Sequence, residues 1–240
     1  RSVLGLHLTL QRGQTIGWTV GLFLSGLAFG SMTKSLLDAA ADNELLQRVL
    51  SQQGTDGVYT TLTQFLAAAA TVYVVSAVLR IRGDEESGLG EAVLAGDVSR
   101  WRWLVGAVVA AVIGSTVLML SAGLGMGIGA GIAIGDPPTI GRLTVAGLAF
   151  VPAMAVMAGV AALAVALRFA WIGWLAVTFV IVSLYLGALL RLPQWLLDAS
   201  PVGQTRAPSE YSAVALTAMV VVAAALTFVA GVIYRRRDAV

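Results

Sequence analysis

His7 is the only histidine in the chain and there is no cysteine, so disulfides and thiolate chemistry are excluded from the outset. The remaining groups that could move a proton or hold a cation are carboxylates, and they are unevenly placed. Arg80 to Trp103 holds nine of the 28 ionic side chains, set between two long apolar runs. Asp84, Glu85 and Glu86 come first and Arg100 and Arg102 close the stretch. That order suits a short helix, because anions are favoured at the amino end of its dipole. At 100° per residue, Leu89, Ala92, Val93 and Gly96 share one face, with Asp84, Ser87, Glu91 and Leu94 roughly opposite. A two-faced helix at a membrane surface can touch lipid on one side and a protein on the other. A solvated loop is the bland alternative.

Elsewhere the chemistry is sparse. No Asp or Glu falls inside a predicted span, which removes the usual proton relay or cation site. His7 precedes the first span, where a surface role is expected, and no metal site is predicted. Thr71, Ser115, Thr116, Thr178, Ser183, Thr217 and Thr227 lie within spans and are expected to bond back to their own helices. The residues therefore argue against an enzyme and against an ion-coupled carrier working alone. A net charge of +2 is too small to imply nucleic acid.

The elements that position these groups belong in lipid. The chain is 58% hydrophobic and 12% charged, with mean hydropathy +0.86, whereas a soluble domain carries about 25% charged residues. An interfacial helix is predicted over 1–14, followed by spans at about 16–37, 58–79, 104–128, 143–167, 170–190 and 212–234. A first span of this length reaches about 33 Å, enough for a ~30 Å hydrocarbon core. Residues 38–57 read as an amphipathic extension of span one, ended by Gly54 and Gly57. Pro152 predicts a kink in span four. Arg168 marks a tight return, and 191–211 reads as a segment dipping into the interface. The chain opens with Arg1, which fits a segment of something longer.

Glycines are dense between Ser121 and Gly135. No strand precedes them and no helix start follows, as a dinucleotide-binding loop would require. Gly123, Gly127, Gly131 and Gly135 sit four apart along one helical ridge, where small residues let backbones approach closely in lipid.

Six spans put both termini on one side. That side carries ten Lys and Arg against five on the other, so the positive-inside rule assigns both ends and the 80–103 loop to the cytoplasm. All six tryptophans lie near predicted span ends, as an aromatic belt would have them. The prediction is an all-α, polytopic membrane protein forming a single transmembrane domain over 1–240.

The chain resembles the membrane subunits of ABC-2-type exporters, and among them the tetronasin-type antibiotic exporter permeases. The resemblance rests on Glu85-Glu86-Ser-Gly88-Leu-Gly-Glu91-Ala-Val-Leu-Ala-Gly-Asp97-Val-Ser99-Arg100, with weaker support from Ser200-Pro201 and Tyr234-Arg-Arg-Arg-Asp238. The family often has Pro at Asp97, and Arg or Leu at Gly90, Ala92 and Val93. The resemblance implies a six-span permease half in a bacterial plasma membrane. Its loop after span two would be a coupling helix, seated through Asp84, Glu85, Glu86, Gly88, Glu91, Ser99 and Arg100 on a cytoplasmic ATP-binding cassette subunit. ATP and Mg would be bound by that partner and no cofactor by this chain. A second six-span half, fused or separate, would complete a path for apolar or amphipathic compounds such as antibiotics. A non-transporting assembly or immunity subunit, a lipid exporter and an intramembrane enzyme are the alternatives.

Overall fold

The computed structural model describes residues 2–41, 44–86, 99–187, 189–205 and 212–236, the side chains at 37, 40–41, 44–55 and 86 excepted. Every regular element among them is an α-helix. In chain order these are α1 (Val3–Ser31), α2 (Thr33–Ala41), α3 (Glu44–Glu86), α4 (Arg100–Ile134), α5 (Pro138–Leu148), α6 (Val151–Ala166), α7 (Trp171–Tyr185), α8 (Gln194–Asp198) and α9 (Ala213–Arg235). Five stretches are long and apolar enough to cross a membrane: Val3–Leu36, Asp56–Glu85, Arg100–Ile134, Pro138–Ala166 and Ala213–Arg235.

Local chemistry sets several ends. Ser2, Ser99 and Ser212 cap α1, α4 and α9, their hydroxyls accepting from the amides of Gly5, Arg102 and Ala215 at 3.1–3.3 Å. These bonds satisfy amides that have no partner within the helix. Gly135 ends α4 in the left-handed region (φ 71°), its N–H returning to the Gly131 carbonyl. Pro138 then opens α5, where a missing N–H costs nothing. The pause at Ala149 and Phe150 falls where Pro152 lacks a donor and its ring would meet the Leu148 carbonyl. All seven hydroxyls expected to bond back do so, each to a carbonyl three or four residues earlier on its own helix.

α4 lies at the centre and touches α1, α2, α3, α5, α6 and α9. It runs parallel to α1, since His7 meets Trp103 and Ser121 meets Thr19 further along. α3 runs antiparallel to α1, with Gln11 opposite Ala77 and Thr15 opposite Tyr73. The outer faces of α1 and α9 carry Ile16, Leu24, Val214 and Val221 in the open, as helices in lipid require.

The structure corrects several boundaries. No interfacial helix separates 1–14 from span one. α1 is continuous through both, because His7 and Gln11 are buried with partners and are not turned to solvent. Gly54 and Gly57 do not end a helix, since α3 runs through both and on past Leu79 to Glu86. α4 outruns the predicted span at both ends, its amino end being fixed by the Ser99 cap and its carboxyl end by Gly135. The stretch expected to hold span five carries only α7, of 15 residues. The aromatic belt is incomplete as well: Trp103 is fully buried and Trp18 stands mid-helix in α1.

Candidate functional site

The glycines of α4 form two interfaces rather than one. On one side, methyl groups at Gly123 and Gly127 would fall 2.6 and 2.7 Å from the carbonyls of Leu143 and Ile140 in α5. Gly147 returns the contact against the Met119 carbonyl at 2.5 Å. Gly131 meets the Ile140 side chain more loosely. Gly135 takes no part in this packing, because it is the left-handed cap. On another side, Gly125 and Gly129 lie against the Phe23 and Leu27 carbonyls of α1. Gly26 and Gly30 of α1 interlock with them against the Ala122 and Met126 carbonyls. A side chain at any of these four would fall within 2.2–2.4 Å of backbone oxygen. Helices α1, α4 and α5 are therefore in near backbone contact, the arrangement that lipid favours when residues are small. The α1 face of this cluster was not foreseen.

Polar groups join α1 to its neighbours toward the amino end. The Nε2 of His7 lies 3.1 Å from the Trp103 carbonyl, with the two ring centroids 4.2 Å apart and their planes tilted by 45°. A carbonyl can only accept, so this nitrogen carries the proton. Gln11 donates to the Ala77 carbonyl at 3.4 Å, Gln14 to the Ser76 hydroxyl at 2.7 Å, and Thr15 and Tyr73 share a 2.8 Å bond. Gly114 of α4 leaves the notch that the Tyr73 hydroxyl fills. His7, expected at the surface, is thus a structural group in a helix interface. Among the described residues no acid or nucleophile is hydrogen-bonded to it to make a catalytic set.

The charged end is assembled by four helices. Tyr234, near the end of α9, donates its hydroxyl to the Glu85 carboxylate at the end of α3. Arg82 reaches the carbonyl of Arg168 at 3.0 Å, where the chain turns with φ 65° between α6 and α7. Arg80 donates to the Leu10 carbonyl at 3.1 Å. Trp101, in the first turn of α4, presses on Gly231 and meets Phe228 edge to face at 5.6 Å. The last turn of α3, the first turn of α4, the last turn of α9 and the 168 turn are thereby held together.

Of the residues expected to couple to a partner, Asp84 and Glu85 stand in the last turn of α3 and Ser99 and Arg100 open α4. Glu86 closes α3, and its side chain is not among those described. Gly88 and Glu91 lie outside the described residues, as does the body of the expected coupling helix. The short helix that the acidic group is expected to open lies outside the described residues, while Asp84, Glu85 and Glu86 themselves sit at the carboxyl end of α3. The dipole there disfavours anions. Arg80, one turn before Asp84 on the same face, and the Tyr234 hydroxyl offset that cost. Among the described residues no three His, Asp or Glu side chains gather as a metal site would need.

Residues 1–235 match the family described as "Multidrug efflux system permease Rv1217c, C-terminal domain". The chain is also 33% identical, over 98% of its length, to the multidrug efflux system permease protein Rv1217c of Mycobacterium tuberculosis (strain ATCC 25618 / H37Rv). It spans 44% of that relative's length. By these matches the chain belongs to the family of the C-terminal domain of the Rv1217c multidrug efflux permease.

Proposed function

We propose that the chain is one half of the membrane permease of an ATP-driven, ABC-2-type exporter, moving apolar or amphipathic drugs outward across a bacterial plasma membrane. Membership of an efflux-permease family is the observation that carries this reading. The tetronasin-like motif after α3 agrees with it, and so does the scarcity of acidic groups within the long apolar helices. With so few such groups among the described residues, the energy on this reading enters from outside the bilayer, through an ATP-binding cassette partner that binds ATP and Mg.

The same reading has six crossings with both ends in the cytoplasm. The contact between Arg82 and the Arg168 carbonyl supports a return of the chain, after α6, to the end where α3 finishes. Tyr185 meets Phe65 ring to ring in a tilted contact, and Gln64 donates to the Thr205 carbonyl, about 25–30 Å along α3 from Arg82 at 1.5 Å per residue. α9 then runs back to Glu85. On this reading a sixth crossing is shared between α7, roughly 22 Å long and too short for a ~30 Å core by itself, and the broken segment containing α8. Motion of a cassette against the 80–103 loop would reach α3 and α4 directly. It would reach α9 through Tyr234 and Trp101.

Purification of the chain together with its second half, followed by reconstitution into vesicles, tests this. A cassette subunit should accompany it, and accumulation of an apolar dye should require ATP and stop with vanadate. Dye movement that survives vanadate but collapses with the proton gradient would refute an ATP-driven exporter.

A further inference from the structure

We infer that the groove between the amino end of α4 and the carboxyl end of α9 binds the phosphate headgroup of an anionic phospholipid. The groove encloses about 420 Å³ and is lined by Trp101, Phe228, Val232, Arg235 and Arg236, a volume typical of small-ligand sites. Its two parts differ in chemistry. Trp101 and Phe228 make an aromatic corner, their planes 75° apart, and Gly231 lets the Trp101 ring sit directly on the α9 backbone. Phe228 remains 61% exposed. At 100° per residue, Val221, Phe228, Val232 and Arg235 fall on one face of α9, and Val221 is exposed as well. The apolar wall of the groove thus continues into the surface that faces hydrocarbon.

Arg235 and Arg236, both exposed, line the same groove. Among the described residues neither enters an ion pair. A guanidinium matches phosphate oxygens in a bidentate fork. A free anion would leave the aromatic wall unused, and a zwitterionic lipid would offer its phosphate only together with a cationic group that the two guanidiniums repel. A phospholipid with a net negative headgroup uses both the wall and the charges. Basic pockets between helices at the membrane surface are where such headgroups are held. A positive helix end favours the dipole whether or not a groove is present, so the groove and its aromatic corner are what single out this site. The inference does not depend on what the chain transports.

The test uses the purified full chain, delipidated in neutral detergent and offered phosphatidylglycerol or phosphatidylcholine with identical acyl chains. Lipid retained is read by native mass spectrometry. Two basic side chains beside an anionic headgroup predict a preference of about thirtyfold for phosphatidylglycerol. The double variant Arg235→Gln/Arg236→Gln should fall to the phosphatidylcholine level, Arg236→Gln alone should lose part of the preference, and Arg235→Lys/Arg236→Lys should keep only the part that charge without the fork supplies. Arg12→Gln, which removes an exposed charge on α1, should change nothing. Equal retention of the two lipids, or an unchanged preference in both glutamine variants, overturns the proposal. Displacement of phosphatidylglycerol by inorganic phosphate alone overturns it too, because the site would then be one for free anions.

Discussion

The hydroxyl of Tyr234 donates to the carboxylate of Glu85, joining the last turn of α9 to the last turn of α3. The two residues are 149 positions apart and belong to elements that pack mainly against other helices: α9 against α6, and α3 against α4 and α6. The bond offers the Glu85 charge a donor at a helix end where the backbone presents only carbonyls. It also fixes one end of α9 beside the stretch read as the coupling loop.

Removing that donor should cost little but measurably. Tyr234→Phe and Glu85→Ala, each alone and combined, form a cycle whose coupling should be about 1 kcal/mol, since the bond is only partly buried. Thermal denaturation in detergent would measure it. A coupling indistinguishable from zero would show that the contact does not stabilise the fold.

The glycine interface makes a sharper prediction. Gly26→Ala places a methyl 2.3 Å from the Ala122 carbonyl, whereas Gly17→Ala on the same helix meets nothing within 4 Å. The first should destabilise by about 2 kcal/mol through overpacking. The second should be neutral or stabilise by roughly 0.5–1 kcal/mol through helix propensity. Similar melting temperatures for the two variants would contradict the backbone contact between α1 and α4.

Some of this was legible in the sequence because it is local. Ser212, Gly135-Asp136-Pro137-Pro138 and Pro152 act within a few residues, and the starts, stops and breaks fall at them. Contacts between distant segments were not legible. His7, Gln11 and Gln14 lower the hydropathy of α1 and so read as material outside a span. Their spacing of four and three puts them on one face, and that face meets α3 and α4. The ridge from Gly123 to Gly135 could be read as small residues at helical spacing, but not which helix lies against it. Pairing Gly26 and Gly30 with Gly125 and Gly129 requires knowing that α1 and α4 run parallel. The length of α3 is not legible either: a span is expected to stop at Leu79, while the helix persists to Glu86.

Gly114 and Tyr73 should behave as a pair. A methyl at Gly114 would fall 1.9 Å from the Tyr73 hydroxyl oxygen and 2.8 Å from its ring carbon. Gly114→Ala should therefore destabilise by about 2 kcal/mol. In a Tyr73→Phe background, where the hydroxyl is gone, about 1 kcal/mol of that loss should disappear. Additive melting shifts would place the strain elsewhere.

Glu85 is also one of the residues proposed to face the cassette, and its two roles can be separated. Glutamine at 85 keeps an oxygen that can accept from Tyr234 but removes the charge. Lysine removes both and introduces a repulsive cation. If Glu85 serves chiefly as an anchor for α9, Glu85→Gln should transport normally, while Glu85→Lys and Tyr234→Phe should be impaired alike. If its charge orients a cassette, Glu85→Gln and Glu85→Lys should both lower transport and substrate-stimulated ATP hydrolysis, and Tyr234→Phe should do neither. An exposed charge pair is worth only about 0.2–1 kcal/mol, so the second outcome would be graded and sensitive to salt. Because Glu85 is held by Tyr234 within the chain, the anchor outcome is expected for position 85. Transport by reconstituted vesicles at low and high salt, for the three variants at equal expression, distinguishes the two, and a salt-dependent loss in Glu85→Gln would reverse the assignment.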